Sequence, residues 1–557
     1  MRRFTVLFFF LVIAGSAFAQ IPAGEESIAI ATDRDIYIAG DIIWLSAWYS
    51  LDGKPATREF SKILLVELLD GENPVAQGKI PIQDGRASGA LRIPEGIPSR
   101  NYQLRAYTNW QRNLPPEYYT TLELTIINPA SPLPNPLLSW QTSADKKGAK
   151  AGETLEIRGL KDRYAPREKV SFSIACPDGP LDAAIAVVKR GTLEGRSPLQ
   201  PASLPKEEAY GDLNPGRLPD IRDVSLSGIL LDSASSQPIR DGLIYVSIVD
   251  KDLQQLHIYR SGEDGTFVFP LDHLSGRQKV FISSKPLSDS VRHKILVNTD
   301  FSNRYATFPT VETAPDSSQR KVLEALYLDY QLQKKYTAVR PDSARFPRPI
   351  SAYFAQPTVS VTLSDFIPLP TMEEVFKEIV PFVSVKKKKK HFALWVLNKE
   401  ETKFEEDPLV LIDNLPVFDL DALMQINPAL VYRIDVINEP YILGSHNISS
   451  VILVKTTTSD FAGMRFPEST VFLNYQTRDI PLEFPQVKYD TPESRTSRTP
   501  DFRTVLYWDP RVVLDQTAKT VSFYTSDEES AYSIIIRGVD GEGDYYWREE
   551  EFEVLRN

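Results

Sequence analysis

Residues 408–458 constrain the fold more than any other stretch, because strand and helix signals follow one another closely there. The predicted order is a strand over 409–412, a turn at Asp413-Asn414, a helix from Asp419 to Met424 that stops at Asn427-Pro428, and strands over 431–437 and 451–454. This order predicts a small α/β unit. The rest of the chain alternates as short strands, so the predicted fold class is mainly β, with tandem sandwiches around this one α/β domain.

The order of these pieces resembles the plug domain of TonB-dependent outer-membrane receptors. The matching positions are Asp413, Ile426-Asn427-Pro428, Ile434-Asp435-Val436, Gly444 and Val451-Ile452-Leu453-Val454. A receptor barrel of this kind uses about 22 strands of roughly 9–11 residues each. Only 100 residues follow position 457 (557 − 457). We therefore expect a plug-like domain over residues 346–460 without the barrel.

The N-terminus has the pattern of a secretory signal peptide over residues 1–19. Arg2-Arg3 precede an apolar run over 4–14, and Ala17-Phe18-Ala19 gives a small-residue cleavage pattern. The run is shorter than the ~20 residues that a spanning helix needs. Gln20, not Cys, would be the first mature residue, which argues against a lipid anchor. We expect an exported chain with no membrane-spanning segment after cleavage.

Composition limits the chemistry available to this chain. Forty-two prolines favour β modules joined by stiff linkers. Cys176 is the only cysteine, so no intramolecular disulfide can form, and its apolar setting predicts a buried position. The formal net charge of −11 argues against a general affinity for nucleic acid or anionic membranes.

Residues 20–128 predict the first β-sandwich, since alternating runs follow one another there at sandwich spacing. The stretch 33–41, DRDIYIAGD, resembles the D-K-x-x-Y-x-P-G-E signature of macroglobulin domains, with Ala39 in place of the usual proline. The stretch 101–110 resembles the penultimate strand of bacterial versions of that domain. Alpha-2-macroglobulins trap proteases through a thioester in a C-G-E-Q motif. Because Cys176 is followed by Pro177-Asp178-Gly179, the covalent mechanism is not implied here.

The remaining boundaries follow from proline-rich and polar stretches. We predict a linker over 129–139, a second β-sandwich over 140–222, a third over 223–308, a helical linker over 309–345, a proline-rich linker over 461–500 and a C-terminal Ig-like domain over 501–557. The third resembles the carboxypeptidase regulatory-like domain on residues 224–232, 237–239, 245–248 and 262–269, which implies no peptidase activity. The last resembles the closing Ig-like domain of large macroglobulin-related bacterial envelope proteins, on residues 502–510, 521–527 and 532–538.

A helix is predicted over 318–336, with an apolar face of Val322, Leu323, Leu326, Tyr327 and Tyr330. Packing against its own neighbours is the commoner outcome for so short a stripe, and binding to a partner is the alternative.

A run of five lysines lies between two apolar strands, over 383–385 and 392–396; its members are Lys386, Lys387, Lys388, Lys389 and Lys390. A hairpin turn is the favoured interpretation. The alternative is an anion-binding loop for lipopolysaccharide or a phospholipid headgroup, which makes these lysines the candidate anion-contact residues. In either case the repulsion between like charges should keep the loop exposed.

The sequence contains no recognisable catalytic motif. Its five histidines lie far apart, and it contains no H-E-x-x-H, G-x-S-x-G, Walker or G-x-G-x-x-G motif. We therefore predict no enzyme, no catalytic residue, no cofactor and no metal. A triad assembled from distant residues is the one enzymatic alternative.

We expect a non-enzymatic multidomain interaction protein of the Gram-negative periplasm or outer membrane. Its partners are expected among envelope or outer-membrane proteins, with a TonB-dependent receptor as one candidate, and the contacts among exposed strand edges. The alternative is a glycan- or peptide-binding accessory of a TonB-dependent uptake system. In that case exposed aromatics would stack on the ligand, with Trp110, Tyr118-Tyr119 and Tyr545-Tyr546-Trp547 as candidates.

Overall fold

The computed structural model describes residues 25–56, 58–131, 137–140, 150–151, 155–193, 200–201, 217–250, 253–285, 292–307, 310–313, 317–336, 356–388, 391–443, 446–467 and 469–556. The predicted signal peptide, Gly444, Lys389 and Lys390 lie outside these residues. Strands dominate the described residues, which confirms the mainly β prediction.

The first sandwich contains nine strands: β1 Glu26–Thr32, β2 Ile36–Ile38, β3 Ile42–Leu51, β4 Lys54–Pro55, β5 Ile63–Asp70, β6 Asn73–Gln83, β7 Arg86–Arg92, β8 Arg100–Thr108 and β9 Thr120–Ile127. They run in the order β1-β3-β7-β6-β5-β8-β9-β2, with β4 on β3. Strand β6 belongs to both sheets of the sandwich, because its residues 73–81 pair with β5 and its residues 82–83 pair with β7. The two sheets enclose a core that includes Ile28, Leu45, Tyr102 and Leu124.

The next segment contains β10 Leu137–Trp140, β11 Lys150–Ala151, β12 Glu156–Arg158, β13 Arg163–Tyr164, β14 Lys169–Ala175, β15 Leu181–Lys189 and β16 Gln200–Pro201. Strand β16 returns to the first sandwich, where it pairs with β1. Cys176 follows β14 and is buried, as predicted, and burial raises the pKa of its thiol.

The third segment contains β17 Ser225–Asp232, β18 Leu243–Asp250, β19 Leu253–Arg260, β20 Thr266–Pro270, β21 Arg277–Ser284, β22 His293–Val297 and β23 Thr310–Thr313. Two sheets, β20-β17-β22 and β19-β18-β21, face each other across Leu226, Val246, Phe269 and Ile282. Strand β23 pairs with β10.

The α/β domain follows a long helix. The elements are α1 Ser317–Tyr336, β24 Val359–Thr362, α2 Met372–Glu374, β25 Val383–Lys388, β26 His391–Val396, β27 Leu409–Ile412, β28 Leu415–Pro416, α3 Leu420–Met424, β29 Val431–Ile437, β30 Tyr441–Leu443, β31 His446–Ile448 and β32 Val451–Thr456. Five of the strands form one sheet, β24-β29-β32-β27-β28. Every element predicted between 409 and 454 is present. Buried Asp413 links the end of β27 to the end of β32 and the residues after it, because its carboxylate accepts hydrogen bonds from the Thr456 and Phe461 amides at 2.8 and 2.9 Å.

The last elements are β33 Thr470–Gln476, α4 Pro492–Arg495, β34 Val505–Leu514, β35 Lys519–Tyr524, β36 Ser530–Asp540 and β37 Tyr545–Val554. Strand β33 lies inside the stretch that was predicted to be a linker over 461–500. It pairs with β21 and completes the second sheet of the third sandwich. Val471, Leu473 and Tyr475 alternate toward the core of that sandwich, which is why this segment forms a strand.

The second and C-terminal domains predicted from the sequence form one sandwich in the structure. Strand β15 lies between β34 and β36, and β14 pairs with β35. Strand β15 is almost wholly buried, so it needs a neighbour on each side, and both neighbours come from the end of the chain. The predicted division between residues 140–222 and 501–557 therefore does not hold.

The sandwiches pack on one another through apolar faces. Trp44 and Trp48 of the first sandwich contact Ala184, Ala186 and Trp508 of the second. Ile63, Leu65 and Tyr107 of the first sandwich pack against the third sandwich. Tyr245 and Leu256 of the third sandwich pack against Leu411 and Leu453 of the α/β domain. Leu326 of α1 covers Ile36, Ile38 and Ile127 of the first sandwich. These faces form a continuous stack, rather than the separate modules that the prolines suggested.

The junction between the first and third sandwiches holds buried charges. Lys79 Nζ donates to Asp300 Oδ2 at 2.8 Å, and the Lys79 amide donates to Asp479 Oδ2 at 2.9 Å. Asp220 lies beside them. Burial raises the pKa of Asp220 to about 7 and that of Asp479 to about 6.

These raised pKa values predict a pH dependence of stability. The folded chain keeps protons on Asp220 and Asp479 that the unfolded chain releases near pH 4. The free energy of unfolding should therefore fall as the pH rises from about 4 to about 7, by on the order of 1.4 kcal/mol per pH unit for each proton. Asp220→Asn should reduce that slope in urea titrations at several pH values. The control is Asp264→Asn, because hydrogen bonds from Thr266 lower the pKa of Asp264. The titration of Asp264 therefore changes the free energy of unfolding only below the pH range in which Asp220 acts.

Candidate functional site

A groove of about 630 Å³ lies between the first sandwich, helix α1 and residues 484–505. Its volume is typical of a site for a small ligand or a short peptide. The residues that line the groove include Arg34, Gly40, Asp41, Trp44, Arg92, Tyr330, Phe484, Val487, Tyr489, Asp501 and Arg503.

The floor of the groove comes from the DRDIYIAGD stretch. Asp33 is fully buried, and its Oδ1 accepts hydrogen bonds from the Tyr37 hydroxyl at 2.8 Å and the Trp44 amide at 3.0 Å. Burial raises the pKa of Asp33 to about 6. Arg34 stacks on the Tyr37 ring at 4.6 Å and donates to Asp41 Oδ2 at 2.7 Å. This stretch therefore fixes the position of one guanidinium group at the groove.

Gly40 allows the turn that shapes the edge of the groove. Its φ is +98°, a conformation that residues with a Cβ rarely adopt. A Cβ there would lie 3.2 Å from Glu95 Cγ and 3.3 Å from the Tyr330 hydroxyl of α1. Glycine thus permits both the turn and the close approach of the helix.

The opposite wall carries a second guanidinium group. Arg503 Nε lies 2.9 Å from both carboxylate oxygens of Asp501, which also accepts a hydrogen bond from the Tyr489 hydroxyl at 2.9 Å. Arg503 Nη1 is buried and has no hydrogen-bond partner among the described residues. Arg34 Nε is also buried without a hydrogen-bond partner among the described residues, although it lies 3.5 Å from Asp33 Oδ2. A buried donor without a partner costs about 1–3 kcal/mol.

Arg167 holds this wall in place from behind. Its guanidinium donates to the carbonyls of Ser494, Arg495, Ser497 and Thr499 at 2.7–3.2 Å. The same group pairs with Asp527 at 2.6 Å. One side chain from the second sandwich therefore sets the path of residues 494–499.

The groove has an excess of positive charge. Three arginines and two aspartates line it. Arg92 at the end of β7 is exposed and forms no ion pair within the described part of the chain. Guanidinium groups bind carboxylates in a bidentate way, and Trp44 and Phe484 supply apolar surface beside them. This arrangement suits an extended peptide that carries a carboxylate.

The described part of the predicted lysine run lies outside the groove. Lys386, Lys387 and Lys388 extend β25, which pairs antiparallel with β26 as expected for a hairpin, while Lys389 and Lys390 lie outside the described residues. Lys387 pairs with Glu373 at 3.3 Å. The hairpin packs on the core of the α/β domain and takes no part in the groove.

Of the aromatics considered for glycan stacking, Tyr119 is buried and the other five are half-buried. Tyr119 is buried and stacks on Tyr107 at 4.3 Å. Tyr545 and Trp547 pack against the cluster between the first and second sandwiches. The rings of Tyr119, Tyr545 and Trp547 therefore make contacts within the chain.

One Ser–His contact bears on the enzymatic alternative. Ser284 Oγ lies 2.8 Å from His293 Nδ1, but its own proton goes to the Leu243 carbonyl at 2.7 Å. Both side chains are buried, and burial lowers the pKa of His293. The hydroxyl is thus neither accessible nor activated. Over the described residues, no cluster of three His, Cys, Asp or Glu could hold a metal ion.

No single sequence motif signals the groove. Its walls come from residues 34–44, Arg92, α1 and residues 484–505, which only the folded chain brings together. Within the described ranges, no helix is long and apolar enough to cross a membrane.

The chain matches no family model, and no curated protein matches it. Among solved structures it is similar to Salmonella alpha-2-macroglobulin reacted with methylamine, at 10% identity and a TM-score of 0.25, covering 96% of this chain and 40% of that one. It is also similar to native E. coli alpha-2-macroglobulin, at 9% identity and a TM-score of 0.25, with the same coverage. Dimeric latent PorU from Porphyromonas gingivalis is a further neighbour, at 9% identity and a TM-score of 0.15, covering 96% of this chain and 34% of that one. The chain thus spans about two fifths of the macroglobulins, and no family assignment follows.

Proposed function

We propose that this chain is a non-enzymatic, exported interaction protein of the Gram-negative envelope, in the periplasm or at the outer membrane. In this proposal the groove holds an extended segment of a partner protein. The observation that carries it is the groove itself, which combines three arginines with aromatic and hydroxyl groups. Export is supported by the signal pattern of residues 1–19.

The chemistry of the groove favours binding over catalysis. Its carboxylates, Asp41 and Asp501, are already paired with Arg34 and Arg503. A carboxylate of the partner would meet exposed Arg92 at the rim. Charged groups at such a rim set the rate and specificity of association, and buried arginines contribute strongly to affinity.

Affinity capture tests this proposal. Tagged mature protein is incubated with Gram-negative envelope extract, and the recovered proteins are quantified by mass spectrometry. Arg92→Glu reverses an exposed charge, so it should leave the fold intact and reduce recovery of the partner by at least about tenfold. Urea titrations of each variant check that the fold is retained.

Arg277→Glu is the matched control, because Arg277 is an exposed strand arginine of β21 outside the groove. Recovery with this variant should equal that of the unmodified chain. The proposal fails if Arg92→Glu recovers the same proteins in the same amounts, or if no protein is enriched with any variant.

A further inference from the structure

The outward face of the β25–β26 hairpin carries unpaired positive charge around a tryptophan. Lys386 Nζ lies 4.5 Å from the centre of the Trp395 ring, and Lys403 Nζ lies 3.5 Å from it. Both lysines are exposed, and neither forms an ion pair with another described residue. Two ammonium groups therefore share one aromatic ring without a carboxylate between them.

The strand register sets this face apart from the core. Lys386 pairs with Ala393, and Trp395 lies two residues further along β26, so Lys386 and Trp395 lie on the same face. Leu394 and Val396 alternate to the opposite face and are buried in the domain core. The basic face is thus supported from behind by a packed layer.

Other basic side chains near the hairpin, in contrast, have carboxylate partners. Lys377 and Lys387 both pair with Glu373, at 2.6 and 3.3 Å, and His391 lies 2.5 Å from Asp421. Each of these three side chains therefore has a carboxylate partner. Among the side chains that the structure describes here, Lys386 and Lys403, beside Trp395, are the lysines without a carboxylate partner.

We infer that this face, formed by Lys386, Trp395 and Lys403, binds the phosphate-rich surface of an anionic membrane. Tryptophan and lysine together suit the boundary between headgroups and water, where the ring contacts apolar atoms and the ammonium groups contact phosphates. None of the three residues lines the groove beside α1 or the two smaller cavities beside Glu156 and Asp220, and the exposed lysines suit a surface rather than one enclosed phosphate.

The overall negative charge does not oppose this local attraction. The chain carries a formal charge of −11, but interactions between exposed charges are screened beyond about 8–10 Å at physiological ionic strength. The basic face would therefore attract the membrane at close range while the rest of the chain is repelled or screened. Such contact would also orient the chain on the membrane, a property that the groove alone does not provide.

Co-sedimentation with vesicles tests the inference. The full mature chain is mixed with vesicles of phosphatidylglycerol and phosphatidylcholine, or of phosphatidylcholine alone. Binding is expected to the anionic vesicles only and should weaken with added salt. The variant Lys386→Glu/Lys403→Glu should reduce the apparent affinity at least about 30-fold, since each surface lysine contributes about fivefold.

Lys279→Glu/Lys294→Glu is the control, because it reverses two exposed strand lysines of the third sandwich. It should bind the anionic vesicles as the unmodified chain does. Equal binding to neutral vesicles, no binding to anionic vesicles, or full binding by the hairpin variant would overturn the inference. So would binding of inorganic pyrophosphate, by calorimetry, without binding to vesicles, because it would assign the lysines to a soluble phosphate ligand.

Discussion

Replacing Arg167 by methionine is expected to lower the free energy of unfolding by about 3–5 kcal/mol, since it leaves a partly buried carboxylate without its cation. The guanidinium is about 10% exposed and pairs with Asp527, which is 17% exposed. The same substitution removes the donors that four carbonyls of residues 494–499 share. Urea titration followed by circular dichroism measures the loss of stability, and the variant should also lose binding at the groove.

Arg163→Met provides the comparison for this experiment. Arg163 also pairs with a carboxylate, that of Glu553 at 3.3 Å, but both side chains are at least half exposed. Exposed ion pairs contribute about 0–1 kcal/mol, so this variant should unfold almost as the unmodified chain does. Similar losses for the two arginines would mean that Arg167 does not organise the wall of the groove.

Trp48→Ala is expected to cost about 3–5 kcal/mol, because it removes a large buried ring between two sandwiches. The indole is 4% exposed, and its Nε1 donates to the Asp182 carbonyl at 2.9 Å across that boundary. The guanidinium of Arg86 lies 4.0 Å from its ring. Because the chain crosses this boundary repeatedly, calorimetry should show the first and second sandwiches unfolding in one transition that shifts to lower temperature in the variant.

Leu328→Ala is the control for this second prediction, since Leu328 is more than half exposed on α1. It should change the transition by less than about 0.5 kcal/mol. If Trp48→Ala leaves the transition unchanged, or if the two sandwiches of the unmodified chain unfold separately, then the apolar stack does not couple them.

Local signals in the sequence predicted the local structure well. The helix predicted from Asp419 is present as α3, with Asp419 Oδ1 accepting hydrogen bonds from the Asp421 and Ala422 amides at 3.0 and 3.2 Å. The apolar stripe of α1 packs against the chain itself through Leu326, as the commoner interpretation predicted. Each of these features depends on residues within a few positions of one another, so a short stretch contains the whole signal.

The pairing of distant strands could not be predicted in the same way. Alternation of apolar residues shows that a strand is buried, but it does not identify the strand beside it. Arg167 and Asp527 are 360 positions apart, and β15 lies between strands from the end of the chain. The single sandwich, the place of β33 and the groove all depend on such distant contacts. They were therefore missed.

The stack also changes how the α/β domain should be studied. Leu411, Val451 and Leu453 of this domain pack on Tyr245 and Leu256 of the third sandwich. Removing residues 346–460 would expose that apolar face and interrupt the chain before β33. A deletion would therefore destabilise the third sandwich, and point substitutions at exposed residues are better suited to tests of function.

Photo-crosslinking from inside the groove tests the central proposal most directly. A benzoylphenylalanine placed at Val487, which lines the groove, is activated in intact envelope extract, with the same probe at exposed Leu296 for comparison. We predict one discrete protein adduct from position 487 that is lost when Arg92→Glu is added, and none from position 296. The same adducts from both positions, or an adduct that persists with Arg92→Glu, would show that the groove does not hold a partner protein.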